Sequence, residues 1–510
     1  MHSLAAAAAL AAPRGPARRD PIVGSPLPFA LLPPCEKGAN RSQPHKWLSG
    51  TRCLEANTHS HTWQSPDAPP PFLPAAQLPK VPDEAISHYC GSLRLHTAQL
   101  GAVPDMLRNA SFWSPWLKRT TLAHPNRTAE QRKRRCEARM RNWRPRICQL
   151  SRVYVAGSSQ VMFNSTSYFG TAPRVTAGLN PVGVGTVQQH TQHALLTRNE
   201  YGAGYYHMLF DTLASLAFLW PAFKEDKSAM LVVNPCSTGR EQLTGRGGER
   251  TTAPNFGSAC EERPYARALL SALGVPPERV LQWPYTRQLS GPALRAEHAS
   301  FMCAHPFQPT FHRGFWYARK LRQLLHAAFE LPLHDAIEKV PPAGPDPRTL
   351  LLISRRGCAA DGCDTSRNVR GHAGLLKNLR RAFPRDNVVS FTGSEPVAEQ
   401  ARLFHSAALI AGPHGAAFAN TIFCKAGASI IEFHRLNWRL EPNSPLYALL
   451  ARSLQLRHWV IVDTETESEQ RGYEIAPGLL VQTAKAALAV AEGTASAADF
   501  SVELSRSEWL

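Results

Sequence analysis

The sequence predicts an α/β protein built from two Rossmann-like domains. Apolar runs of strand length alternate with amphipathic helical stretches, a Pro- and Gly-rich segment at 340–347 separates two such series, and 510 residues are enough for two or three domains. Residues 1–90, rich in Pro, Ser and His, predict a disordered stem. We therefore expect an N-terminal domain at 91–340, a C-terminal domain at 349–475, and a closing helix and tail at 476–510.

Each element is predicted from the spacing of its apolar residues. In the first series we expect strands at 153–156, 160–163, 230–233 and 280–283, and helices at 205–220, 266–273 and 315–329. In the second series we expect strands at 350–354, 387–391, 407–411, 429–433 and 458–462, and helices at 374–383, 395–405, 416–423 and 478–491.

The segment 407–433 predicts a strand, a sharp turn, a short helix and a second strand. Gly412 and Gly415 let the backbone approach a ligand without a side chain in between. The helix that starts at Ala416 presents backbone N–H groups and a positive dipole end, which suit a phosphate. Glu432, at the tip of the next strand, suits sugar hydroxyls by analogy with dinucleotide folds. An ordinary βαβ unit with a tight turn is the alternative interpretation.

Three stretches of the sequence resemble glycosyltransferase family 61. Residues 394–433 contain a Gly-Pro-His-Gly-Ala turn like that of the family signature, and NEYGAGYYHMLFDTL at 199–213 resembles its Tyr-Tyr-His-x-Leu-Phe-Asp motif. LLLISRR at 350–356, followed by Arg367, resembles the family's strand and Ser-Arg motif. The motifs cover roughly 195–435 in the family's order. The resemblance implies an inverting glycosyltransferase of the GT-B type, in which two Rossmann-like domains face each other across a cleft. Such an enzyme moves a sugar from a nucleotide-sugar, here a UDP-sugar, to a glycan or glycoprotein.

Under this resemblance, several side chains are expected to bind the donor. The guanidinium groups of Arg355 and Arg356 match phosphate oxygens, although a surface pair at a strand end is the alternative. Arg367 matches the family's motif by position, whereas Gly371 stands where the family usually has Asn. His414 is expected to contact the diphosphate or the donor sugar. No Asp-x-Asp motif occurs, so we expect no metal and no cofactor besides the donor.

An inverting transfer needs a general base for the acceptor hydroxyl. Asp211 and His207 are the candidates, because residues four apart lie on one face of a helix. Alternatively, both side chains have a structural role: His207 packs beside Tyr206, and Asp211 stabilises the helix.

The charge balance leaves two other function classes open. Lys and Arg number 57 against 39 Asp and Glu, which gives +18 and attracts polyanions. A basic polyanion-binding protein is therefore one alternative, although the basic run at 131–146 lacks any nucleic-acid signature and no nucleic-acid partner is expected. The other alternative is a catalytically inactive, glycan-binding member of the same fold.

The cysteines and glycosylation motifs favour the secretory pathway. Eleven Cys occur without a Cys-x-x-Cys, and in an oxidising compartment Cys136–Cys148, Cys236–Cys260 and Cys358–Cys363 are close enough in sequence for disulfides. The Asn-x-Ser/Thr motifs lie at Asn40, Asn109, Asn126 and Asn164. The resemblance implies a Golgi enzyme, but the apolar run at 4–12 is too short to span a membrane and no anchor is evident.

Overall fold

The structure, a computed structural model, describes sixteen stretches of the chain. These are residues 93–108, 128–142, 147–156, 160–163, 166–169, 187–197, 204–233, 236–237, 261–262, 264–282, 293–302, 314–333, 347–354, 368–435, 446–464 and 472–504. The expected stem, most of the expected linker, the four glycosylation motifs and the loop with Arg355, Arg356 and Arg367 lie outside them. At least one cysteine of each expected disulfide also lies outside, or has a side chain that the structure does not describe.

The described residues form a mixed α/β structure, as predicted. The strands are β1 (Leu93–His96), β2 (Ile147–Ala156), β3 (Gln160–Phe163), β4 (Thr166–Phe169), β5 (Val187–Leu196), β6 (Ala229–Val233), β7 (Cys236–Ser237), β8 (Glu261–Glu262), β9 (Val280–Gln282), β10 (Ala293–Met302), β11 (Thr349–Ile353), β12 (Asn387–Phe391), β13 (Ala407–Pro413), β14 (Ser429–Arg435), β15 (Arg457–Asp463) and β16 (Ser501–Leu504).

The helices alternate with these strands. They are α1 (Val103–Arg108), α2 (Ala129–Asn142), α3 (Tyr205–His207), α4 (Ala214–Glu225), α5 (Pro264–Ala272), α6 (Gly314–Ala328), α7 (His372–Ala382), α8 (Val397–Ser406), α9 (Leu446–Ser453) and α10 (Pro477–Glu492). A π-helical segment, Met208–Leu213, joins α3 to α4, and 3₁₀ helices span Pro277–Arg279, Ala416–Phe423 and Ala497–Phe500. No helix of the described part is long and apolar enough to cross a membrane.

The first half of the molecule is organised on a seven-stranded sheet. Its strand order is β4-β3-β2-β10-β5-β6-β9. Strands β10, β5, β6 and β9 run parallel, whereas β2, β3 and β4 extend the sheet by antiparallel pairing. Its parallel part therefore meets the prediction of strands joined by helices, while β5 and β10 were not predicted from the sequence.

The second half is organised on another seven-stranded sheet, with the order β12-β11-β13-β14-β15-β1-β16. Its first five strands are parallel and follow the doubly wound order 2-1-3-4-5. In this order the connections after β11 and β13 leave in opposite directions, and ligands bind in the crevice beyond the carboxyl ends of these two strands. Strands β11 to β15 were predicted to within two residues at each end, whereas β1 and β16 were not predicted.

The first described strand belongs to the second sheet. Strand β1 pairs with β15 and β16, so Leu93–His96 is part of the C-terminal sheet, although the sequence placed residues 91–340 in the N-terminal domain. Helix α10 packs on β14 and β15 and is part of the same half. Pairing between strands about 360 residues apart leaves no local trace in the sequence, which explains why the prediction placed β1 with its sequence neighbours.

One buried apolar cluster is shared by the two halves. It includes Leu209 and Leu231 of the first half together with Phe418 and Ile430 of the second. Helix α6 lies at its centre, because it packs against α4 on one side and against α9 and the 3₁₀ helix Ala416–Phe423 on the other. The two sheets are therefore joined through a common core and not through a chain linker alone.

Candidate functional site

The turn after β13 lies against the end of β11. A Cβ atom built on Gly412 would meet the Cβ of Ile353 at 2.6 Å, which is closer than side-chain atoms approach one another. Only glycine therefore fits at this position while β11 and β13 pair in parallel. The strand ends that form the crevice are brought together by this close contact.

The predicted short helix follows the turn and begins at Ala416, with Gly415 as its N-terminal neighbour. It is a 3₁₀ helix from Ala416 to Phe423, and Phe418 N–H donates to the Gly415 carbonyl at 3.1 Å. The first N–H groups of a helix lack intrahelical partners. The start of this helix therefore presents donors at the carboxyl edge of the sheet, as the sequence predicted.

The other end of this helix is held by three basic side chains from two further helices. His326 Nε2 lies 3.2 Å from the Ile422 carbonyl, His405 Nδ1 lies 3.2 Å from that of Phe423, and Arg322 donates to that of Cys424. Arg322 also donates to the Leu454 carbonyl at 2.9 Å. Because the carbonyl end of a helix carries partial negative charge, these groups stabilise its orientation. Two of them come from α6, so the first half of the molecule positions a helix of the second.

A chain of side-chain hydrogen bonds also crosses between the halves at Asn420. The Tyr205 hydroxyl donates to Asn420 Oδ1, and Asn420 Nδ2 donates to Gln400 Oε1 at 3.0 Å. Gln400 Nε2 donates in turn to the Glu395 carbonyl at 2.7 Å. Burial raises the pKa of Tyr205, which keeps the hydroxyl protonated and able to donate. Asn420 thus binds two side chains, one from each half of the molecule.

Glu432 is fully buried and surrounded by imidazoles. His414 Nδ1 lies 2.5 Å from Glu432 Oε1, and His458 Nε2 lies 2.7 Å from Oε2. His434 Nε2 is 3.1 Å from Oε2. Burial alone would raise the pKa of Glu432, but the neighbouring His434 and His414 outweigh it and hold this pKa well below its usual range. Burial also lowers the pKa of His458, although Glu432 opposes that shift. The carboxylate is therefore ionised and accepts hydrogen bonds from His414 and His458.

This arrangement gives Glu432 a different place from the one expected. The sequence suggested that its carboxylate would contact ribose, but the side chain has no exposed surface and its oxygens face histidines. The alternation of polar Glu432 and His434 with apolar Ile431 and Phe433 along β14 is the signal that could have revealed a polar cluster on one face. His458 comes from β15, where the sequence gave no indication of it.

The same cluster is the one group of the described residues that could hold a metal ion. Ligand atoms of His414, Glu432 and His434 all lie within 4.8 Å of one another. Neighbouring ligand atoms around a tetrahedral zinc with bonds of about 2.0 Å are about 3.3 Å apart. The contact of 2.5 Å from His414 to Glu432 is shorter than an ordinary N–H···O hydrogen bond, so these two side chains face each other directly.

Tyr447 connects this cluster to the Tyr-Tyr-His motif. Its buried ring lies 5.3 Å from the ring of His414 and 5.4 Å from that of Phe418. The ring of Tyr206 is 6.0 Å away on the other side. Helix α9, which carries Tyr447, was not predicted. Through it the motif at 199–213 and the glycine turn, about two hundred residues apart, line the same region.

The two candidates for the general base lie where the α-helix passes into a π-helix. His207 ends α3 and is half-buried, with its ring 5.2 Å from that of Tyr206. Asp211 lies in the π-helical segment, in which Ala214 N–H donates to the Leu209 carbonyl five residues earlier. Segments of this kind occur often at functional sites. Helix α3 packs against the 3₁₀ helix Ala416–Phe423, so His207 and the glycine turn belong to neighbouring elements.

The fold and the turn first define a class: an α/β protein with a switch-point crevice lined by glycine and histidine. Comparison with known proteins gives one similarity. Residues 205–431 match the model of the family Glycosyltransferase 61. The matched segment contains the π-helical segment, α6, β11 and the glycine turn. A search of the curated proteins finds no match.

Proposed function

We propose that this protein is an inverting, metal-independent glycosyltransferase of the GT-B type. It transfers a sugar from a nucleotide-sugar, a UDP-sugar, to a glycan or glycoprotein acceptor. The single observation that carries the proposal is the position of the glycine turn: a family-61 motif lies at the crevice that the 2-1-3-4-5 strand order predicts as the ligand site.

The donor diphosphate is proposed to bind at the start of the 3₁₀ helix. The backbone at Gly412, Gly415 and Ala416 can approach phosphate oxygens closely, because neither glycine carries a Cβ. His414, between the two glycines, adds a side-chain donor. Arg355, Arg356 and Arg367, in the loop that follows β11, remain the proposed guanidinium ligands, since that strand ends beside Gly412.

The reaction needs one charge-stabilising site and one base. When the bond between the anomeric carbon and the diphosphate breaks, negative charge develops on the leaving oxygen, and the helix start and the basic side chains stabilise it. On the opposite face of the sugar, the acceptor hydroxyl attacks and gives its proton to a base. Asp211 or His207 is proposed for this role, because their helix packs on the element that carries the donor turn.

The compartment and the acceptor follow from the sequence features together with the family. A Golgi or secretory location is proposed, since it agrees with the sequons and with the number of cysteines. In that location Asn40, Asn109, Asn126 and Asn164 become candidates for N-glycosylation. The acceptor is then a secreted glycan or glycoprotein.

Donor binding is tested by thermal stability with a panel of nucleoside diphosphates in the presence of a chelator. A nucleotide at a hundred times its Kd should stabilise the protein by about 2.7 kcal/mol. We expect this shift with UDP for the wild type and its loss in Arg355→Ala. Arg370→Ala is the matched control, because Arg370 forms an exposed ion pair with Glu474. A panel without any shift would contradict the donor site and favour a glycan-binding protein without activity.

The base is tested by comparing Asp211→Asn with His207→Gln. Removal of the base should lower kcat by about a hundredfold to ten-thousandfold while the Kd for UDP stays within about twofold. The measurement is release of UDP from the UDP-sugars that stabilise the protein. Equal activity of both variants and the wild type would contradict the assignment of the base to this helix.

A further inference from the structure

His414 is the most accessible histidine of the cluster around Glu432. Its side chain is 18% exposed, whereas those of His434 and His458 are 1% and 2% exposed. It is also the one that lies in the glycine turn, between Pro413 and Gly415. A ligand in the crevice therefore meets His414 before it meets any other member of the cluster.

The proton positions follow from the ionised carboxylate. Glu432 can only accept hydrogen bonds, so the 2.5 Å contact requires a proton on His414 Nδ1. Neutral imidazole carries one proton, and its Nε2 is then an acceptor. A diphosphate oxygen is an acceptor as well and would repel that lone pair. Protonation of Nε2 converts this repulsion into a second charge-assisted hydrogen bond.

We propose that binding of the donor diphosphate takes up one proton at His414, and that Glu432 is the positioning residue that makes this uptake favourable. This inference rests on the proposed function, since it needs the diphosphate at the turn. The imidazolium would donate from Nδ1 to Glu432 and from Nε2 to a phosphate oxygen. It is held between two anions, one supplied by the protein and one by the ligand.

The surroundings of His414 support this assignment. From β14 it faces Glu432 and His434, from β15 His458 approaches the same carboxylate, and from α9 the ring of Tyr447 lies 5.3 Å away. Glu432 is the single carboxylate among these groups. Because His458 and Tyr447 are buried, an added proton is best placed on His414, which the ligand can neutralise.

The role of His414 in sugar transfer is electrostatic. The bond from the anomeric carbon to the diphosphate oxygen breaks, and its electron pair stays on that oxygen, next to His414 Nε2–H. The bond from the acceptor oxygen to the anomeric carbon forms, and the acceptor proton passes to the base on the helix of the first half. His414 thus stabilises the leaving group, and Glu432 acts through it.

The test is calorimetric titration of the full chain with UDP, without metal, at pH 8 in two buffers of different ionisation heat, HEPES and Tris. At this pH the terminal phosphate of UDP is already ionised, so proton uptake reports on the protein. We expect uptake of at least about half a proton per UDP bound, and a Kd that rises about threefold to tenfold between pH 8 and pH 9. The wild-type measurement decides the question even where a variant fails to fold.

Two variants and one control test whether the proton is taken up at His414. His414→Gln and Glu432→Gln should both weaken UDP binding and give a Kd that is flat with pH. His190→Gln removes a histidine that is also paired with a carboxylate, Glu297, but on the N-terminal sheet, and should keep the wild-type uptake. UDP binding with uptake below about a tenth of a proton would overturn this inference and leave the donor site intact. No binding by any nucleoside diphosphate would overturn both.

Discussion

The hydroxyl of Tyr205 donates a hydrogen bond to Asn420 Oδ1, although 215 positions separate the two residues. Asn420 is also held by Gln400 of α8, so one amide fixes the 3₁₀ helix to both halves of the molecule. These hydrogen bonds therefore hold in place the 3₁₀ helix that follows the glycine turn.

Loss of the Tyr205 hydroxyl should destabilise the protein. In Tyr205→Phe the buried Asn420 Oδ1 loses its donor, which costs about 1–3 kcal/mol. Urea unfolding monitored by fluorescence measures the change. Ser406→Ala, which removes an exposed hydroxyl from α8, is the control and should stay within about 0.5 kcal/mol of the wild type. Equal stability of both variants would contradict a structural role for this hydrogen bond.

A methyl group at position 412 should separate β11 from β13. Gly412→Ala places a Cβ against that of Ile353, and the resulting strain is expected to cost about 1–3 kcal/mol and to weaken UDP binding. Gly374→Ala is the matched control, because its added Cβ meets no atom within 4 Å and alanine favours the helix. That control should gain up to about 1 kcal/mol. A wild-type midpoint for Gly412→Ala in thermal unfolding would argue against the close contact.

Arg322 is expected to hold the two halves together. Arg322→Met keeps most of the side-chain length but removes the donors to the carbonyls of Cys424 and Leu454, which are buried in the shared core. We expect a loss of about 2–4 kcal/mol, since hydrogen bonds of a charged group are among the stronger ones. Arg370→Met, on the surface, should change stability by less than about 1 kcal/mol. Similar denaturant midpoints for the two variants would refute this role of α6.

The stability should fall as the pH is lowered from 7 to 5. Burial, assisted by the nearby His458 and Arg94, lowers the pKa of His96 to about 4. Between that value and about 6.5 the unfolded chain takes up a proton at His96 that the folded chain does not, so stability increases with pH in this window. At pH 5 the loss from this group is about 2 kcal/mol. His96→Gln should flatten the profile between pH 5 and pH 7, and a wild-type slope in this variant would contradict the assignment.

The secondary structure of the second half was well predicted because its signals are local. Strand β12 was predicted to the residue, and β13 and β14 to within two residues at each end, since apolar runs bounded by turn residues define them. The turn at 412–415 was likewise predicted from its glycines, and the helix from Ala416 to Phe423 from the spacing of its apolar residues. The first half was predicted less completely, because its long strands β5 and β10 carry histidine and other polar residues among their apolar ones.

The candidate site was predicted in its parts but not in its arrangement. His414 and Glu432 were both identified, yet their mutual contact, and those of Glu432 with His434 and His458, arise from the register of three parallel strands. Tyr447 was missed because helix α9 has no feature that distinguishes a buried aromatic residue near a ligand from one in the core. Distances of this kind depend on packing between segments that local patterns do not relate.

The sequence alone determined the α/β class, the family resemblance, the glycine turn and the basic charge, because each depends on residue type and short-range spacing. The tertiary structure decided that β1 joins the C-terminal sheet, that α6 holds the end of the 3₁₀ helix Ala416–Phe423 from the other half, and that Glu432 is a buried acceptor for histidines. These facts depend on contacts between residues far apart in the chain. Such contacts form only when the whole core closes, and closure is also what buries Glu432.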